Sequence, residues 1–332
     1  MKKTNILLLL SSAFLLFSCG GNQDKTIVPE GESVPVETVK AKYQAAASSM
    51  EQEKKGYSVK VDGARFDVSA TLKVVSPIED SGEPVTVSDA SVHASITDFS
   101  LSAAVAEKEG GKIGAHAKTS FASDIGVEVK SDVPEMSVPN VSHKGNVSAS
   151  FYLQDNAIYL DSSGLSELLK GLNSSQISFA EKTKIALSGD DAAEMPDVEW
   201  GQIPNELEKF CKDTATAIVS KDGTYSFVYH LDFPTLITSI AGEGNSWGAF
   251  AAALEFGKDC YAEASLSFNE NGLTRFAVGY SVKASFSQND PTGVSAQGSF
   301  SSSANFVAEF AFGVDNVESV PDPDSYVLAP AN

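Results

Sequence analysis

The chain has 332 residues, enough for one large domain or two small ones, and it carries 44 Asp and Glu against 24 Lys and Arg, a formal net charge of −20. A surface this acidic repels phosphate backbones, and the only arginines are Arg65 and Arg275, so nucleic acid is excluded as a partner and no phosphate clamp is expected. Past the N-terminal 18 residues no stretch is long and apolar enough to span a bilayer, which takes about 20 residues.

The first 18 residues read as a leader. Lys2 and Lys3 supply a basic start, Ile6 to Phe17 a mostly apolar middle, and Ser18 a small residue at the end. The phrase Leu16-Phe17-Ser18-Cys19 resembles the lipobox of bacterial lipoproteins, in which the leader is cut just before a cysteine that receives acyl chains. The resemblance implies that 1–18 is a signal peptide and that Cys19 is the lipidated N-terminus. It also implies that the chain is anchored by palmitate-like acyl groups, on the extracytoplasmic side of a bacterial membrane, as part of the cell envelope. One acyl chain holds a protein marginally, at about 0.8 kcal/mol per buried CH₂, whereas two or more hold it durably. Taking 18 residues from 332 leaves 314, and losing Lys2 and Lys3 moves the charge from −20 to −22. With Cys19 acylated, Cys211 and Cys260 remain as an even pair in a compartment that permits oxidation, open to a disulfide or to two buried thiols.

Residues 19–35 are rich in Gly, Asn, Asp, Pro and Glu and read as a flexible acylated stalk. From Val36 to Lys55, Val39, Tyr43, Ala46 and Met50 recur at helical spacing, which predicts an amphipathic helix stopped by Gly56. The period then drops to two. Ala64, Phe66, Val68, Ala70, Leu72 and Val74 alternate with polar residues, as do Ala90, Val92, Ala94 and Ile96. At Thr97-Asp98 the phase slips, as a β-bulge requires, before Phe99, Leu101, Ala103 and Val105 continue. Further alternation covers 112–129 and 147–160, with Asp155-Asn156 as a hairpin turn.

The middle of the chain predicts a short helix over 164–172 capped by Ser162 or Ser163, and an acidic loop over 188–201. A second long helix is predicted over 205–220 (Leu207, Phe210, Cys211, Thr214, Ile218), then a strand from Tyr225 to Leu231, then helical stretches over 234–258 broken at Gly242-Glu243-Gly244. The last third is strand again: Ala262 to Phe268, a turn at Asn269-Glu270-Asn271-Gly272, Phe276 to Phe286, and Phe300 to Phe312. Residues 313–332 are Asp, Pro and Ser rich and read as a flexible acidic tail.

The expected fold is α+β: a large curved antiparallel sheet, a half barrel, wrapped around a few helices that cover its apolar face, all within 36–312. The phrases Phe151-Tyr152-Leu153-Gln154-Asp155-Asn156-Ala157-Ile158-Tyr159-Leu160-Asp161 and Leu266-Ser267-Phe268-Asn269-Glu270-Asn271-Gly272-Leu273-Thr274-Arg275-Phe276 resemble hairpins of the LolA/LppX-like lipoproteins. That resemblance implies a gap between sheet and helices that takes a lipid or another hydrophobic molecule. Its lining here would be Phe66, Phe99, Phe151, Phe210, Trp247, Phe250 and Phe276. Many sheet positions are Ala or Ser, which suits either close helix packing or room for a guest.

Catalytic signatures are missing. His93, His116, His143 and His230 stand at no metal spacing, and no nucleophile elbow or phosphate loop occurs. Asp190, Asp191, Glu194, Asp197 and Glu199 share a loop without EF-hand spacing, which fits a solvated acidic loop better than a calcium site. The expectation is a monomeric, non-catalytic, membrane-anchored lipoprotein with no cofactor that binds a hydrophobic ligand. The rival is a structural or adhesive surface lipoprotein with a packed interior.

Overall fold

The computed structural model describes residues 27–52, 56–77, 84–108, 110–133, 140–171, 181–187, 198–211, 213–232 and 254–329. Cys19 and the leader, the acidic residues 190–197, the glycine-rich run 242–248, Trp247 and Phe250 lie outside the described residues.

The elements in chain order are β1 (Glu32–Ser33), α1 (Val36–Gln52), β2 (Gly56–Pro77), β3 (Pro84–Lys108), β4 (Lys112–Lys130), β5 (Val141–Gln154), β6 (Ala157–Asp161), α2 (Ser163–Gly171), β7 (Lys182–Ala186), α3 (Ile203–Glu208), β8 (Thr216–Val219), β9 (Tyr225–His230), β10 (Glu255–Phe256), β11 (Tyr261–Asn269), β12 (Gly272–Asn289), β13 (Ser295–Phe312) and β14 (Val327–Leu328). All the strands belong to one sheet, in the order β1-β8-β9-β11-β12-β13-β2-β3-β4-β5-β6-β7-β14, with β10 extending the β11 side of β12. Every pairing is antiparallel except β14 on β7. The sheet is curved and does not close into a barrel. It consists of two meanders: β2 starts beside the place later taken by β13, one meander runs outward to β7, and the chain then crosses to β8 and works back.

Length sets the architecture. At a rise of about 3.3 Å per residue the 25 residues of β3 run roughly 80 Å, whereas the 17 residues of α1 run roughly 25 Å. One helix can therefore cover only part of one face. α1 lies across β8, β9, β11 and β12, near the end of the long strands marked by Gly56, Gly272 and Phe312. Its side chains at helical spacing, Val39, Tyr43, Ala46 and Met50, are all buried there. Gly272 (φ +123) fits this end because a Cβ would collide with Met50.

A line of irregularities crosses the sheet at mid-length. Register slips between Asn305 and Ala308 in β13, between Val61 and Phe66 in β2, and between Thr97 and Ser100 in β3. Gly63 and Asp98 take left-handed backbone there, with φ of 63° and 53°. Each bulge adds twist and bend to its strand, so neighbouring bulges crease the sheet along one line. The slip expected at Thr97-Asp98 is one of them. Asp155 and Asn156 (φ 52° and 57°) make the expected two-residue hairpin turn.

Three expectations are corrected. The helix over 205–220 stops at Glu208, and Thr216–Val219 is strand β8 paired with β9. Thr214, Thr216, Ile218 and Val219 are β-branched, Ala215 and Ala217 are buried on alternate positions, and Asp222-Gly223 turns the chain, so period two wins over period 3.6. The stalk is ordered from Ile27 onward: Ser265 Oγ and Arg275 Nη1 donate to its carbonyl at 2.6 and 3.3 Å, and β1 pairs with β8. The tail is docked as far as Ala329. Val320 and Tyr326 are buried against Tyr152, Ala157 and Tyr159, and β14 adds to β7. The start of α2 is held by Asp161, whose carboxylate accepts from the Ser163 N–H and hydroxyl at 3.1 and 2.7 Å.

Candidate functional site

Below the crease the helix-bearing face is filled. Tyr43 is fully buried, its ring edge-on to Phe227 and Phe268 with centroids 5.9 and 5.0 Å away, and its hydroxyl donates to the Trp200 carbonyl at 2.8 Å. Burial raises the phenol pKa well above its usual value. Trp200, just before α3, packs edge-on to Tyr57 and Phe312. Sheet and helix meet here as a packed core.

Above the crease the same face stays covered on its β12–β13 side, where Val282, Ala284 and Ser302 are buried and Phe300 packs against the core, and it opens over β2, β3 and β4. Direct cross-strand partners share a face, so the register writes out its rows. Ser302, Val68, Ala94 and Ile125 form one row; Ala284, Phe300, Ala70, Val92 and Val127 the next; Phe286, Gly298, Leu72, Ala90 and Val129 a third. The opposite face of these strands carries Ser69, Thr71, Lys73, Asp89, Ser91, Asp124 and Lys144. Between Val68 and Pro77 in β2, and between Pro84 and Asp98 in β3, no residue is buried, and Leu72 and Val92 are 39% and 38% exposed. No helix among the described residues packs on this half. From strand spacing and rise, three strands by seven residues give the open face a footprint of about 330 Å². That lies within the range of the largest apolar patch of an ordinary monomer, roughly 300–600 Å², and such patches are often functional.

The phenylalanines expected to line a pocket fall in different places. Phe66 and Phe99 meet at the crease, buried and edge-on with centroids 5.9 Å apart, and Phe121 stacks on Phe99 at 6.3 Å. Together they floor the lower border of the open face. Phe276 is buried in the core under α1, and Phe210 is half-buried beside that core. Phe151 is half-buried on β5, opposite Ala117 and Leu160. The open-face residues were missed as a site because each run reads simply as a strand with one apolar side. The usable signal was a mismatch of lengths, with far more alternating strand than helix available to cover it.

Cys211 and Cys260 are free thiols, which corrects the disulfide alternative. Cys211 bridges to Leu231, whose N–H in turn bonds the Ala262 carbonyl, so two strand spacings, about 9–10 Å, separate Cys211 from the β11 strand line. A disulfide needs Cα atoms within about 7 Å. The Cys211 thiol donates to the Leu207 carbonyl at 3.3 Å, and burial pushes its pKa up to about 11, which makes it inert. No group of three His, Cys, Asp or Glu among the described residues is placed to hold a metal ion, and no helix among them is long and apolar enough to cross a membrane.

On the opposite face the tail is fastened beside β4. The Glu318 backbone N–H donates to His116 Nδ1 at 3.1 Å, its carboxylate takes the Lys118 ammonium, and the Val320 N–H donates to Gln154 Oε1 at 3.1 Å. Burial lowers the pKa of His116, opposed by the Glu318 charge and helped by Lys118, while the bond from Lys118 lowers that of Glu318.

No protein-family model and no curated protein matches the chain. Among solved structures, a β-barrel-like protein with a domain of unknown function (DUF1849) from Brucella abortus is 10% identical over 76% of this chain and 98% of its own, with a TM-score of 0.16. OccAB4 of Acinetobacter baumannii is 9% identical over 79% of this chain and 99% of its own, with a TM-score of 0.09. At such scores neither likeness says anything about what this chain does.

Proposed function

We propose that this protein is a non-catalytic, membrane-anchored lipoprotein that receives acyl chains of lipid on the open apolar half of its sheet. The observation that carries the reading is the face built from Val68, Leu72, Val92 and Val127 on β2, β3 and β4, apolar on one side, polar on the other, and with no helix on it among the described residues. An acyl chain laid there leaves water at about 25 cal/mol per Å² of buried apolar surface. This differs from the sheet–helix cavity of the LolA/LppX-like reading, since the helix seam is occupied by Tyr43, Phe227 and Phe268.

The anchor supports a lipid occupant. Seven residues, 20–26, separate Cys19 from Ile27, where the chain is tied to β11 and β12. The eight Cα steps from Cys19 to Ile27 reach no more than about 28 Å fully extended, so a lipidated Cys19 would hold the Ile27 attachment on β11 and β12 within one bilayer thickness of the membrane surface. The packed helix seam favours the rival, a structural or adhesive surface protein.

Native mass spectrometry of the Cys19→Ser chain purified from cells separates the two. The proposal expects co-purified lipid of variable acyl length. A bare polypeptide mass that takes up no added fatty acid leaves the structural reading standing.

A further inference from the structure

The face opposite α1 and α3 carries a second site, and we infer that it binds a short neutral oligosaccharide. Register places Lys60, Ser102, Lys118, Ser150 and Asp161 side by side across β2 to β6. The next row up is Ser100, Ser120 and Ser148 across β3 to β5. Two residues separate the rows, about 7 Å along the strands, and the backbone of Leu101, Thr119 and Ala149 floors the space between them. The result is a groove of about 470 Å³ running across the strands, within the size range of small-molecule sites.

Short serines keep the floor low, while the stems of Lys60 and Lys118 stand up as walls. The start of α2 closes one end, where Gly164 rests on the backbone of Ser148 so closely that a Cβ would collide with it. The docked tail borders the groove through Glu318, which holds Lys118.

Charge and polarity select the ligand. Lys60 faces Asp62 at 3.6 Å, Lys118 is taken by Glu318, and Asp161 adds a further carboxylate, so the groove offers no surplus positive charge to an anion, and the chain as a whole repels one. The rows that face the groove are hydroxyls, amines and carboxylates, and its lining also includes Val61, Leu101, Ala149 and Tyr152, so a guest meets hydrogen-bonding groups and apolar surface together, as the edges and faces of a sugar ring require. Serine hydroxyls donate and accept alike, as sugar hydroxyls do. Ser100 and Ser120 already pair this way at 2.8 Å and show the spacing that a ring hydroxyl would enter. Such bonds replace bonds to water at small net gain, so the affinity is modest.

The test is calorimetric titration of the full-length protein, in a detergent without a sugar head group, with maltotriose, cellotriose and tri-N-acetylchitotriose, and with trigalacturonate as the acidic contrast. At least one neutral trisaccharide is expected to bind with a Kd of about 1 mM or below. Ser102→Val and Ser148→Val should each weaken it at least about tenfold with an unchanged thermal midpoint, because valine suits an exposed strand position yet fills the groove without hydrogen bonding. Ser91→Val, on the same face but beyond the crease, should leave it unchanged. The inference is overturned if no neutral trisaccharide binds up to about 10 mM, if trigalacturonate binds more tightly, or if both groove variants bind as the parent does.

Discussion

The two ends of this sheet are made from the same alternating pattern and behave differently. Near Gly272 and Phe312 the apolar side is sealed by α1 and Trp200, and Tyr43, Phe227 and Phe268 have no solvent contact to speak of. Beyond the crease set by Gly63 and Asp98, Val68, Leu72 and Val92 carry the same alternation with no helix among the described residues on them. Strand length outruns helix length, so alternation alone decides which side is apolar and not whether that side is buried. Burial is concentrated in the sealed half, and apolar surface is left exposed in the open half.

The contrast can be broken most strongly from the sealed side. Tyr43→Ala empties a fully buried site and orphans the Trp200 carbonyl, and urea unfolding should register a loss of about 3–5 kcal/mol. Leu72→Ala, a truncation in the open half, should cost clearly less, about 1–2 kcal/mol, in the same assay, because Leu72 is 39% exposed whereas Tyr43 is fully buried. Equal costs for the two would show that the open half is covered after all.

The crease joining the halves gives an intermediate effect. Asp98 sits at φ 53°, a conformation that costs a β-branched residue roughly 1–2 kcal/mol and costs glycine nothing. Asp98→Val should lower the unfolding free energy by about that much, and Asp98→Gly should leave it level or raise it.

The smallest effect concerns the docked tail. The folded pKa of His116 is below its unfolded value, because burial disfavours the imidazolium. Its contribution is therefore complete above the unfolded pKa, about 6.5, and is lost as pH falls below that, where the unfolded or undocked chain takes up the proton first. Protonation also removes the Nδ1 lone pair that accepts the Glu318 N–H. Limited proteolysis near residues 315–325 should be slow at pH 7.5 and several-fold faster at pH 5.5. Cleavage that slows on acidification would have the sign wrong.

Much of the fold was legible. Val39, Tyr43, Ala46 and Met50 predicted α1, and the strict alternation from Ala64 to Val74 and from Phe276 to Phe286 predicted long strands with one apolar side. Asp155-Asn156 and Asn271-Gly272 marked their hairpins, and the phase slip at Thr97-Asp98 marked the crease. Residues 205–220 misled because Leu207, Phe210, Cys211 and Thr214 match helical spacing by coincidence, while the β-branched run that follows pairs with Tyr225–Val228 across a turn. Residues 313–329 misled because an Asp, Pro and Ser composition resembles a loose end, and only tertiary partners such as His116 and Tyr159 hold it. The site was the least legible part. Phe66 and Phe99 were expected to line a gap between sheet and helices, yet large aromatics go where burial is complete, and the residues left facing outward are the modest Val, Ala and Leu of the upper rows.

The central claim is that the uncovered rows take acyl chains. Titration of a fluorescent fatty acid into the Cys19→Ser chain, repeated with Val92→Asp and with Leu72→Asp, tests it most directly. The account predicts saturable binding in the parent and at least about tenfold weaker binding in both variants, with unfolding midpoints close to the parent's. Binding that persists undiminished in both variants would contradict it.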